Sequence, residues 1–161
     1  MGARTRRAAL CLSFSAGPNQ PFDLSLSPGT TIDADLVYFP SAFPLRALIK
    51  ARHGSASAEI PALPHATMAD ALAWASDAFA ANPWIERVPL GLASAIPKFE
   101  GRWILTDASG DLINLQASDE LGWSLMALSG GHPIAVAGEW DGESVYPLGV
   151  WAEGRVHRCD R

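Results

Sequence analysis

The sequence predicts an α+β protein in which β-strands predominate, because three patterns coincide. Apolar residues alternate with a period of two in several short runs, one longer run has the period of a helix, and Gly, Pro and Asp cluster between the runs. Of the 161 residues, 48% are hydrophobic and 18% are charged, which is enough apolar material for a folded core. We expect a β-rich N-terminal lobe over residues 1–64 and a second lobe over residues 65–161, which can also form one compact domain.

The N-terminal lobe shows the alternation that is typical of strands. The run Leu10–Phe14 alternates, and a second alternating run at 22–26 ends in the turn-forming sequence Ser-Pro-Gly-Thr. Residues 31–39 are rich in β-branched and aromatic side chains, and a loop with two prolines leads into a strand over Leu45–Arg52. This lobe is therefore predicted to be mostly β.

The second lobe is predicted to contain one amphipathic helix at about residues 68–81, where apolar residues recur at helical spacing. Thr67 and Asp70 resemble a capping box, and Asn82-Pro83 ends the pattern because proline disfavours helical backbone in the residue before it.

Turn signals follow the helix at 107–111, 130–131, 141–142 and 152–154. They predict a C-terminal β-meander that forms a small barrel or a sandwich.

Charge and cysteine content narrow the classes of function. The formal net charge is −5, so a nucleic-acid role requires a local basic patch. Only two cysteines occur and no secretory pattern is evident, which predicts a reducing compartment and a cytoplasmic location. No apolar run is long enough to span a bilayer, so we expect no membrane partner. The oligomeric state stays open.

No metal or cofactor site is predicted. His157 and Cys159 are close in sequence and Cys11 could join them, but the paired Cys-x-x-Cys spacing of zinc sites is absent. Asp107 and Asp111 flank a turn that lacks the ligand pattern of an EF-hand. Glycine-rich phosphate loops are also absent.

A hydrolase is the least favoured function. Its candidate residues are Asp33 and Asp35, on one face of a predicted strand, and Ser129 with His132 across a glycine turn. The strand-to-helix serine elbow is absent, and turn chemistry explains the glycines. We therefore expect no catalytic residues and a protein that is not an enzyme.

The six tryptophans either fill the core or anchor a partner. Trp140 lies between Glu139 and Asp141 at an Asp-Gly turn, where a large ring is often partly covered. Arg46 stands among apolar residues and should reach Glu139 or an aromatic ring. We predict a partner-binding site at Arg46, Glu139, Trp140 and Asp141. The alternative is that Arg46 and Glu139 tie two lobes together over a buried Trp140.

Aromatic, Pro and Gly residues spaced over residues 36–156 resemble the region that follows the zinc finger in bacterial SWIM zinc-finger proteins. They lie in the segments 36–48, 82–85, 103–107, 123–140 and 146–151. The family's finger, Cys-x-Cys followed by Cys-x-His, is absent from this sequence, so zinc and the binding attributed to the finger do not carry over. The resemblance implies a SWIM-associated accessory domain.

The leading functional hypothesis is a non-catalytic accessory module that binds a protein partner. The alternative is a β-barrel that binds single-stranded nucleic acid, with bases on exposed tryptophans and phosphates on Arg46, Lys50 and Arg52. The net negative charge disfavours this alternative.

Overall fold

The computed structural model describes residues 9–11, 32–40, 43–54 and 63–159. The helices are α1 (Met68–Ala81) and α2 (Asp119–Ser129). The strands are β1 (Leu10–Cys11), β2 (Ala34–Tyr38), β3 (Arg46–Arg52), β4 (Val88–Phe99), β5 (Trp103–Thr106), β6 (Leu112–Leu115), β7 (Ile134–Trp140), β8 (Ser144–Ala152) and β9 (Arg155–Arg158). The predicted α+β, mostly β class is confirmed.

The small N-terminal sheet has the order β1-β3-β2, with β1 parallel and β2 antiparallel to β3. Strands β2 and β3 confirm the two strands predicted over residues 31–39 and 45–52. Of the predicted run Leu10–Phe14, the structure describes only Leu10–Cys11, and the run at 22–26 lies outside the described residues.

The larger sheet closes on itself into a small barrel. Strand β4 pairs with β5, β5 with β6, β6 in parallel with β8, β8 with β7, and β7 with β4. Strand β9 extends β8 outside this ring, and α2 connects β6 to β7. The order of pairing, with a helix between the third and fourth barrel strands, is the connectivity of an OB-fold, a five-stranded, partly open Greek-key barrel.

Strand β4 is shared by both sides of the barrel. Its first part pairs with β7 and its last four residues pair with β5. The pairing with β7 is irregular between Leu92 and Ala95, where such a bulge bends a strand. The bend lets one strand of 12 residues serve two neighbours.

The prediction of a single helix is wrong, because α2 occupies Asp119–Ser129. The side chain of Ser118 caps its N-terminus by accepting the Leu121 N–H at 3.2 Å. Gly130 ends it in the left-handed conformation at φ 54°. The Gly130-Gly131 pair therefore terminates a helix instead of joining two strands, and the C-terminal part is not a simple meander.

Helix α1 spans the predicted residues and packs against the barrel. Thr67 Oγ1 accepts the Asp70 N–H at 3.1 Å, which confirms the predicted cap. The Met68 N–H donates to Asp107 Oδ2 at 2.9 Å, so the turn after β5 also holds the start of α1. Four residues of the helix are buried in the core, namely Met68, Ala71, Ala75 and Ala78.

Neither helix in the described part of the chain has the length and apolarity needed to cross a membrane.

Candidate functional site

The structure places Glu139, Trp140 and Asp141 at the end of β7, where the Asp-Gly turn leads into β8 as the sequence indicated. Trp140 is 9% exposed and belongs to the hydrophobic core. Its ring therefore contributes to packing and does not project from the surface as a partner anchor.

Glu139 has an ion-pair partner that the sequence analysis did not identify. Its Oε2 lies 3.3 Å from Nη1 of Arg87, and the Arg87 guanidinium stacks 4.1 Å from the centre of the Tyr146 ring. These contacts join the chain before β4 to β7 and β8. Unlike the tie between lobes that was the alternative for Glu139, this ion pair joins two residues of the predicted second lobe.

Asp141 stabilises the turn between β7 and β8. Its Oδ1 accepts the N–H groups of Glu143 at 2.9 Å and Ser144 at 2.8 Å. Partial burial opposes its ionisation, but these N–H groups and the Tyr146 hydroxyl outweigh burial and lower the pKa of Asp141. Turn formation thus accounts for this residue.

An aromatic surface lies at the junction of β4, β5 and α2, and sequence reasoning missed it. We define it as Phe99, Trp103 and Trp123. The ring centres of Phe99 and Trp103 are 4.9 Å apart, and those of Trp103 and Trp123 are 5.1 Å apart at 89°. Phe99 is 46% and Trp123 is 56% exposed, whereas Trp103 is 5% exposed and forms the floor.

The floor of this surface is held rigidly by α2. The indole Nε1–H of Trp103 donates to Asp119 Oδ1 at 3.0 Å. Gly122 lies against the same ring, and a Cβ at that residue would be 2.1 Å from Trp103 Cε2. Glycine is thus required for the close approach of helix and indole. The exposed rings of Phe99 and Trp123 consequently rest on an ordered base.

A second exposed surface lies on β3, where burial alternates residue by residue. We define the cationic face as the exposed residues of β3, which are Arg46, Leu48, Lys50 and Arg52, together with Val37 and Phe39 from the β2 side. The pairing of β3 with β2 is irregular opposite Lys50, so these side chains do not all lie on one side of the sheet. Val37 pairs with Leu48, and the Arg46 guanidinium lies 6.0 Å from the centre of the Phe39 ring. Strand β3 therefore carries three exposed basic residues.

A carboxylate lies on the same face of β2 as Val37. Asp35 and Val37 are both exposed and are alternate residues of the strand, so their side chains share a face. Asp35 Oδ2 lies 3.0 Å from Nε2 of His53. The small sheet therefore presents an acidic side chain beside Val37.

The predicted pair Ser129 and His132 lies where α2 ends. Ser129 Oγ donates to the backbone carbonyl of His132 at 2.5 Å, and the His132 N–H donates to the carbonyl of Ser129 at 2.8 Å. These bonds close the turn after the helix. A cleft of about 510 Å³ lies beside both residues and is lined mainly by backbone and apolar groups.

Asp107 accepts backbone N–H groups from Met68 at 2.9 Å and from Ser109 and Asp111 at 2.9 and 3.1 Å. These bonds, chiefly that from Met68, lower the pKa of Asp107 despite its burial. Among the residues that the structure describes, no three His, Cys, Asp or Glu side chains are grouped closely enough to hold a metal ion.

Comparison of this chain with models of protein families, with curated proteins and with solved structures finds no match in any of the three.

Proposed function

We propose that this protein is a non-catalytic interaction module and that its aromatic surface is the binding site for a protein partner. The observation that carries the proposal is the exposure of Phe99 and Trp123 above the buried indole of Trp103. Tryptophan is enriched among the residues that dominate binding energy at protein interfaces.

The geometry supports this proposal because the surface is already ordered in the free chain. Trp103 is fixed by Asp119 and by the close contact with Gly122, so its neighbours lose little freedom when a partner covers them. Rigid aromatic side chains supply contact area at a low cost in conformational entropy. Among the catalytic candidates of the sequence, in contrast, the Asp35 carboxylate pairs with His53 and the Ser129 hydroxyl closes the turn after α2.

The OB-type barrel offers a different face for ligands, but this chain buries the β5 part of it. In OB-folds the second and third barrel strands, which here are β5 and β6, bind oligonucleotides or oligosaccharides. Ile104 and Thr106 alternate with the core residues Trp103 and Leu105 and so point outward from the barrel. They are only 2% and 6% exposed. The aromatic surface is the more accessible candidate.

The test is affinity capture from cells that express the tagged full chain, with quantitative mass spectrometry of the bound proteins. We expect a partner that is retained by the wild type and is lost with Trp123→Ala. Truncating an anchor of this size should weaken binding by about 2 kcal/mol or more, which is roughly 30-fold in the dissociation constant.

Trp84→Ala is the matched control, because Trp84 is 92% exposed and lies before the start of β4, whereas Phe99 is the last residue of that strand. Circular dichroism checks that both variants are folded. A partner that is lost equally with both variants, or retained by Trp123→Ala, would contradict the assignment of the site.

A further inference from the structure

We propose that the protein partner binds as a cationic amphipathic helix that lies along the exposed side of α2. This inference rests on the proposed function, because it names the kind of segment that the aromatic surface receives. Its basis is the α2 stripe, which we define as the exposed residues Glu120, Trp123 and Ala127. Residues three and four positions apart lie on the same side of a helix, so these three side chains share one side of α2.

The α2 stripe joins the aromatic surface to the cleft at the end of α2. Trp123 belongs to the aromatic surface. Ala127, one turn further along the same side of the helix, lines the cleft of about 510 Å³. The apolar residues Leu128, Pro133 and Ile134 also line this cleft. The aromatic rings and the cleft therefore form one continuous surface with an apolar site at each end.

The separation of these two sites favours a helix as the occupant. Trp123 and Gly130, which lines the cleft, are separated along the α2 axis by roughly 10.5 Å, or two turns. Residues i and i+7 of a partner helix lie on one face at the same separation. Side chains on one face of an extended strand instead repeat at roughly 6.7 Å. The small side chain of Ala127 between the two sites lets a second helix approach closely.

The charge of α2 favours a basic partner. The helix contains Asp119 and Glu120 and no basic residue. Asp119 accepts the Trp103 N–H, whereas Glu120 is exposed and lies one turn before Trp123. The carbonyl end of a helix carries a partial negative charge, and the last turn of α2 has no basic side chain of its own to offset it. Cationic side chains of a partner are thus favoured at both ends of the α2 stripe.

Carboxylates also outnumber bases in the segments around the stripe and the cleft. Glu100 follows β4 directly, and Glu153 lines the cleft. Arg102 lies in the turn between β4 and β5 and Arg155 begins β9, but neither lines the cleft. This charge disfavours a second copy of the chain as the occupant, because a symmetric contact would place the carboxylates of one copy against those of the other.

The experiment measures the fluorescence anisotropy of labelled synthetic peptides added to the full chain. The probe is an amphipathic peptide of about 20 residues, with leucines on one face and arginines on the other. One comparison peptide has glutamate in place of every arginine, and the second is a scrambled sequence of the same composition without an apolar face. We expect the cationic amphipathic peptide to bind about tenfold more tightly than either comparison peptide.

Ala127→Gln tests the α2 stripe, because a longer side chain there would obstruct a helix that contacts both sites. It should weaken binding of the cationic amphipathic peptide by about tenfold. Ala80→Gln is the matched control, because Ala80 is an exposed alanine of α1, and it should leave the affinity unchanged. Circular dichroism checks that both variants are folded.

Glu120→Gln tests the role of charge. Exposed ion pairs contribute little, so the affinity should fall by about two- to threefold and should depend less steeply on salt concentration. Asp77→Asn, at an exposed carboxylate of α1, is the matched control and should change neither the affinity nor its salt dependence.

The inference would be overturned by a cationic amphipathic peptide that does not bind, or that binds no more tightly than its acidic or scrambled counterpart. Equal effects of Ala127→Gln and Ala80→Gln, or of Glu120→Gln and Asp77→Asn, would also overturn it. Affinity capture from cells separates the two proposals. A partner that is lost with Trp123→Ala but retained by Ala127→Gln would overturn this inference and leave the proposed function intact, whereas a partner retained by Trp123→Ala would contradict both.

Discussion

The aromatic surface and the cationic face are exposed in similar degree, but the protein builds them in different ways. The aromatic surface has a buried floor, a hydrogen bond and a close glycine contact beneath it. The cationic face consists of the exposed side chains of one short strand and of its neighbour β2. One surface is thus a product of tertiary packing, and the other is a product of local backbone geometry.

The difference determines how each surface should respond to change. A surface supported by packing is coupled to the stability of the barrel, so a substitution in its floor should affect folding and binding together. A face formed by exposed side chains should tolerate substitution without loss of stability and should respond mainly to ionic strength.

The largest expected effect is that of Trp103→Ala. Removing this buried indole leaves a cavity beneath Phe99 and Trp123, and we expect a loss of about 3–5 kcal/mol in the free energy of unfolding. Urea denaturation followed by circular dichroism measures it. Lys50→Gln on the cationic face should change the same quantity by less than about 0.5 kcal/mol. Similar losses from the two substitutions would remove the distinction between the surfaces.

A smaller effect is expected from Gly122→Ala. Alanine favours helix, but its Cβ would overlap the Trp103 ring, and overpacking of this kind typically costs about 1–3 kcal/mol. Thermal unfolding should show a lower melting temperature, accompanied by a changed near-UV spectrum of the tryptophans. Ser124→Ala on the exposed side of α2 is the control and should be within about 0.5 kcal/mol of the wild type. Stabilisation by Gly122→Ala would contradict the close packing of Gly122 against the Trp103 ring.

The smallest effect concerns stability in acid, which we expect to depend on the protonation of His65. Burial lowers the pKa of His65 below 6.5, and the charge of Asp70 offsets this only in part. Between the folded pKa and 6.5 the unfolded chain binds more protons, so stability should be lost as the pH falls from 6.5 toward the folded pKa. Urea midpoints at a series of pH values measure it.

His65→Gln should flatten that decline, whereas His132→Gln, at an exposed residue, should keep it. A second decline belongs to Asp107, whose pKa is lowered by the Met68 N–H, so its contribution is lost only as the pH falls below 3.8 toward the folded pKa. A decline near 6.5 that persists in His65→Gln would assign it to another group.

Much of the fold follows from local sequence. Helix α1, strands β2 and β3 and the turns at 107–111, 141–142 and 152–154 are set by periodicity and turn residues. Helix α2 escaped prediction because Gly130-Gly131 suits a hairpin turn as well as a helix end, since both need positive φ angles. Local signals did favour the helix, since Ser118 caps it and Asp119 and Glu120 lie in its first turn.

The candidate sites also differ in how far the local sequence indicates them. The basic residues Arg46, Lys50 and Arg52 alternate in the sequence, but the irregular pairing opposite Lys50 is a feature of the sheet that the sequence does not indicate. The aromatic surface combines a hairpin with a helix that was not predicted, so no local pattern indicates it. The Glu139 partner Arg87 is also remote, at a separation of 52 residues. The SWIM resemblance remains a hypothesis about the origin of the chain.

The parallel pairing of β6 with β8 has a consequence for the order of folding. The first barrel strand, β4, requires β7 along its first half, and the ring closes only when β8 reaches β6. Val88 pairs with Trp140, so contacts between residues that are distant in sequence dominate the barrel. Chains whose contacts are mostly non-local typically fold over roughly milliseconds to seconds. A nascent chain that ends before β8 therefore exposes two unpaired strand edges, on β6 and β7, which makes the synthesis of β8 decisive for avoiding aggregation.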